Sequence, residues 1–80
     1  MFHKVSKVKP LEDMQLEVEF VSGETKIYDV KPLLNKFAIF KKLENVQLFK
    51  TVKVDMGGYG IIWDEEVDLA CEELWHNGKT

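Results

Sequence analysis

Eighty residues and 9.3 kDa allow one small domain spanning 1–80. Eleven lysines, no arginine and fourteen acids give a formal charge of −3 and a pI near 5.3, which argues against a bulk-basic nucleic-acid binder. A lone cysteine excludes an internal disulfide, and an apolar content of 45% excludes disorder.

Met1-Phe2-His3-Lys4-Val5 lacks the apolar core of a signal peptide, and no run approaches ~18 apolar residues. A cytoplasmic chain without membrane contact is therefore expected. Residues 3–9 read as an edge strand, although Val5 and Val8 are out of phase for a simple one. Lys4, Lys7 and Lys9 line it, as solvated charges that block edge pairing or as phosphate contacts.

Met14, Leu16, Val18 and Phe20 alternate with Gln15, Glu17 and Glu19, the pattern of a half-buried antiparallel strand. Ser22-Gly23 marks a turn into a second strand over 24–30. Two registers are open. A two-residue loop sets Ile27 opposite Val18. A three-residue loop with Gly23 left-handed sets Tyr28 opposite Leu16, giving Tyr28 and Val30 to the core but placing Lys26 on that face.

Pro32 suits the first turn of a short helix. Leu33, Phe37, Phe40 and Leu43, continued by Val46, Leu48 and Phe49, predict one or two short helices with an irregular joint. Val52, Val54 and Met56 then alternate with Thr51, Lys53 and Asp55. A Gly57-Gly58 turn would pair Met56 with Tyr59, Val54 with Ile61 and Val52 with Trp63 on one face, with Ile62 behind, beside Lys53. Val67, Ala70, Cys71, Leu74 and Trp75 have helical spacing, so 67–76 is predicted as a helix stopped by Gly78. The expected fold is α+β, a mainly antiparallel sheet in the order β-β-β-α-β-β-α with helices on one face.

These segments resemble an uncharacterised family, domain of unknown function 2442. The resemblance runs from Val5 to Trp75. It is carried by Phe20 and Gly23, by Asp29-Val30-Lys31-Pro32-Leu33-Leu34, by Phe40-Lys41-Lys42-Leu43, and by Phe49 before Val52. Trp63, Asp68-Leu69, Leu74 and Trp75 complete it. Family members often have Asn-Gly where this chain has Glu65-Glu66, which weakens the inferred turn and would let the helix start nearer Asp64. The resemblance implies no established enzymatic activity and a small protein encoded alongside, in an arrangement like a toxin–antitoxin pair. Some members carry a C-terminal helix-turn-helix. With Thr80 ending the chain, that DNA-reading part is expected to be absent here.

Asp29, at a strand end just before Lys31-Pro32, and Asp68, before Leu69, are read as helix N-terminal caps, since a lone carboxylate needs a partner for chemistry. Asp64, Glu65, Glu66, Asp68, Glu72 and Glu73 place six acids within 64–75. No calcium-loop spacing accompanies them, so they read as a solvated helix face or as a docking patch for a basic partner. Glu72 and His76 can meet at i,i+4, but zinc would need further ligands, and Cys71 reads as a small core residue. Gly57-Gly58-Tyr59-Gly60 lacks the Lys-Ser/Thr of a phosphate loop. Neither metal nor cofactor is expected, and no enzyme.

Ile62 and Trp75, with Phe2, are the apolar groups least accounted for by one small core, and would mark an interface if exposed together. The expected function is a non-enzymatic protein-interaction module, the antitoxin-like or accessory partner of another small protein, with a weak homodimer through the Ile62 face compatible. The alternative is a nucleic-acid-associated regulator using the lysine edge.

Overall fold

Leu16, Val18 and Phe20 are buried while Gln15, Glu17 and Glu19 face away from them, and this alternation makes β2 (Gln15–Phe20) the middle strand of an antiparallel sheet. The computed structural model describes residues 2–80. On either side of β2 lie β1 (Val5–Pro10) and β3 (Thr25–Asp29). Leu16 faces Tyr28 and Val18 faces Lys26, the register of the three-residue loop, with Gly23 left-handed at φ 95°. Lys26 tolerates the inward face because its Nζ donates to the Trp75 carbonyl at 2.6 Å while its stem covers apolar surface.

The phase conflict in β1 is resolved by a bulge. Val5 pairs with Phe20 and Lys7 with Glu19, so Ser6 is the extra residue, Val5 is buried and Val8 packs against the core. The turn from β1 to β2 places two consecutive non-glycine residues left-handed, Asp13 at φ 60° and Met14 at φ 55°.

Pro32 lies in the first turn of α1 (Lys31–Lys36), followed by a 3₁₀ segment (Ala38–Glu44) and α2 (Val46–Phe49). The joint is set by Asn45, whose side chain accepts the amides of Gln47 and Leu48 at 2.9 and 3.3 Å. Leu33, Phe40, Leu43 and Phe49 turn inward.

A second antiparallel sheet is formed by β4 (Lys53–Val54), β5 (Gly60–Asp64) and β6 (Val67–Ala70). Val54 faces Ile61 and Lys53 faces Ile62, as the alternation requires. Gly57 and Gly58 both have positive φ, but the ladder ends one pair earlier than expected, at an Asp55 amide to Gly60 carbonyl bond of 2.9 Å. Met56 and Tyr59 therefore leave the core face and stand exposed. Gly58 is needed there: a Cβ would sit 2.7 Å from the Val5 carbonyl oxygen.

The helix expected over 67–76 begins only at Cys71. Val67–Ala70 is a strand, with Val67 and Leu69 buried and Asp68 and Ala70 exposed, and α3 is Cys71–Asn77. The Glu65-Glu66 turn forms because the Asp64 carboxylate accepts the amides of Glu66 and Val67 at 2.8 and 3.0 Å. Trp63 is the extra residue of a bulge between the Ile62–Asp68 and Asp64–Val67 pairs, and its indole is buried on the same side as Ile61. The fold is thus α+β with two three-stranded antiparallel sheets. Beyond α3, Lys79 pairs with Ile27 through bonds of 2.7 and 2.8 Å and covers the outer edge of β3.

Candidate interaction surface

The six acids of 64–75 do not form one patch. Asp64, Glu65 and Glu66 sit at the β5–β6 turn, whereas Glu72 and Glu73 lie on α3, beyond the other end of β6. Most already have intramolecular partners. Lys42 Nζ meets Glu66 at 2.6 Å and Asp64 at 3.9 Å, and these bonds raise the lysine pKa. Glu73 accepts the Tyr28 hydroxyl at 2.7 Å and the Asn77 amide at 2.9 Å. Burial first, then that carboxylate, hold the Tyr28 phenol far above its ordinary range.

Glu72 gathers the N-terminal segment. It accepts the His3 backbone amide at 2.6 Å and lies 3.0 Å from His3 Nδ1, with His76 Nε2 at 3.7 Å. The His3 amide, chiefly, and then the two imidazoles hold its carboxyl below the usual range. Trp75 is half-buried between its neighbours: His3 stacks on it, Phe20 meets it edge-on at 5.0 Å, and Lys26 Nζ lies 4.0 Å from its ring centre. Ile62 is half-buried as well, between Lys53 and Asp68. Neither residue stands among the large apolar side chains most open to solvent.

Asp29 accepts the Lys31 amide at 3.0 Å in a turn bond and is not the expected cap: the N-cap of α1 is Val30, one residue later, and no side chain caps the helix there. Asp68 caps no helix; it stands on the exposed side of β6, because the chain is still extended there. Cys71 is buried, and burial pushes its thiol pKa up, the opposite of what a nucleophile needs. Among the described residues no three His, Cys, Asp or Glu side chains converge to hold a metal. In the lysine edge, Lys7 stands opposite Glu19 and Lys9 opposite Glu17 in the strand register, without a direct ion pair among the described residues, while Lys4 Nζ lies 5.0 Å from the Tyr59 ring centre.

An open apolar concavity lies elsewhere. A groove of about 610 Å³ opens between the β1–β2 turn and the stretch joining the 3₁₀ segment to α2. Leu11, Met14, Leu43, Val46 and Phe49 line it, with Glu12, Asp13, Glu44 and Lys50 also on its walls. Val46 is well exposed. Asp13 is matched by Lys31 at 3.0 Å. The sequence carried one signal for this site, the apolar Leu11 and Met14 flanking a charged turn, but nothing linking them to Val46. Exposed apolar groups also stand at the second hairpin: Phe2 meets Tyr59 edge-on at 5.2 Å, and Met56, three residues before Tyr59, is 91% exposed.

A family model described as "Protein of unknown function (DUF2442)" matches residues 5–80. No curated protein matches the chain. The fold is similar to the crystal structure of "Putative DNA Binding Protein NE0471" from Nitrosomonas europaea ATCC 19718, with a TM-score of 0.80 and 19% identity. The similarity covers 92% of this chain and 47% of that one, so this chain spans about half the length of that protein. At that identity the likeness is one of fold.

Proposed function

The chain belongs to the DUF2442 family, proteins of unknown function, and on that premise we propose that it is a non-enzymatic protein-interaction module, the antitoxin-like or accessory half of a two-protein system. The observation that carries this reading is the open apolar groove. A chain with so little apolar material leaves Leu11, Met14 and Val46 around an uncovered concavity instead of closing it. The acidic C-terminal segment supports the reading less, because its carboxylates are taken up by Lys42, His3 and Tyr28.

The test is co-elution. The purified chain is mixed at micromolar concentration with the product of the neighbouring gene and passed over a sizing column. A complex is expected, and separate elution removes the reading.

A second reading, a nucleic-acid-associated regulator, takes its support from the Nitrosomonas europaea protein, described as a "Putative DNA Binding Protein", about half of which this chain spans. The glutamates that stand opposite Lys7 and Lys9 in the strand register work against it, since they put negative charge beside the groups that would meet phosphate. Retardation of DNA or RNA at low salt, steeply lost as salt rises, would establish this second reading over the first.

A further inference from the structure

The groove's walls fix what kind of chain can enter it. Much of their backbone is already bonded within the turn and the helix: the Leu11 amide donates to the Gln15 carbonyl at 2.8 Å, the Met14 carbonyl accepts the Val30 amide at 3.0 Å, and the Phe49 and Lys50 amides donate to the carbonyls of Asn45 and Val46 at 2.9 and 3.1 Å. Apart from Pro10 at the end of β1, the lining residues lie in a turn and in helical segments, so an extended peptide would find no run of strand to pair with there. Recognition must come from side chains, as it does when an amphipathic helix lays an apolar stripe into a groove.

The rim gives the charge. Glu12 and Glu44 are exposed and have no ion-pair partner among the described residues, and Asp13 shares Lys31 with Asp29. Against these stands the single ammonium of Lys50. A second copy of the chain is a poor occupant, because its helices run only four to seven residues, too short for an apolar stripe over several turns. We infer that the groove receives an amphipathic helix of a partner protein, with apolar side chains against Leu11, Met14 and Val46 and lysine or arginine beside Glu12 and Glu44. This rests on the protein-interaction reading and specifies the partner's chemistry.

Two synthetic helix-forming peptides of about four turns test it. Both carry the same leucine stripe, one flanked by lysines and the other by glutamates. Each is titrated into the isotopically labelled full chain and followed by amide chemical shifts. The lysine peptide should move the amides of Leu11, Met14, Val46 and Phe49, and should bind at least about tenfold more tightly than the glutamate peptide. Val46→Asp and Glu44→Lys, both at exposed positions, should each weaken it about tenfold while circular dichroism stays unchanged. Shifts confined to the Phe2–Tyr59 surface, equal binding of the two peptides, no binding, or self-association of the chain through the groove would overturn the inference.

The same two variants separate this failure from that of the broader reading. A neighbouring gene product that co-elutes equally with wild type, Val46→Asp and Glu44→Lys would leave the module intact and remove the groove. Failure of that product to bind, beside a lysine peptide seated in the groove, would do the reverse.

Discussion

The His3 imidazole lies flat on the Trp75 indole, with centroids 3.9 Å apart and planes 9° from parallel. His3, two residues before β1, is thereby fastened to the last helix, and Glu72 secures it from the side through the His3 amide and Nδ1. His3→Ala removes the stack and the ring's bond but keeps the backbone amide. It should cost about 1–2 kcal/mol in denaturant unfolding, and should change the Trp75 contribution to fluorescence. A variant as stable as wild type would show that the N-terminal segment is held by its backbone alone.

Glu72 makes the same fastening sensitive to acid. Its carboxyl is held below its ordinary value of 4.5 in the folded chain, chiefly by the His3 amide. A lowered folded pKa gives stability that is present above the ordinary value and lost as pH falls through the folded value. Unfolding free energy should therefore decline as pH drops below 4.5, and Glu72→Gln should show a shallower acid limb. Equal acid limbs would assign the decline to other carboxylates.

Trp63 ties the second sheet to the helical segments. Its indole Nε1 donates to the Phe49 carbonyl at 3.0 Å in the interior, and the Phe49 ring lies 6.2 Å away. Trp63→Ala leaves a large cavity and an unpaired carbonyl, and should cost about 3–5 kcal/mol by chemical denaturation. A loss under about 1 kcal/mol would mean the site closes over the missing indole.

What the sequence made legible follows from how local each cause is. The β2–β3 register could be narrowed to two because alternation and Gly23 act within a dozen residues, and the objection to the correct one, an inward Lys26, dissolves only when the Trp75 carbonyl arrives from α3. Val67–Ala70 misled because four residues fit both periods. Val67 and Leu69 alternate with Asp68 and Ala70 as well as Val67 and Ala70 begin a helical stripe, and the Asp64 turn decides between them. The same locality hid the fates of Glu72 and Glu73, whose partners His3 and Tyr28 are 69 and 45 residues away. The groove was out of reach for that reason too, since its walls come from residues 10–14 and 43–50.

Met14 is where the fold and the groove compete. A left-handed methionine costs roughly 1 kcal/mol against glycine, and Asp13 beside it is left-handed as well. Yet its side chain packs against the core and lines the groove. Met14→Gly releases the backbone cost but gives up a half-buried side chain worth about 1–2 kcal/mol, so unfolding free energy should change by no more than about 1 kcal/mol. The groove loses one wall outright, so the lysine-flanked helical peptide should bind about tenfold more weakly to this variant. Denaturant unfolding and the amide-shift titration, run on the same sample, check the two halves. A large loss of stability with unchanged peptide binding would place Met14 in the core alone, and would leave the left-handed turn without a role in recognition.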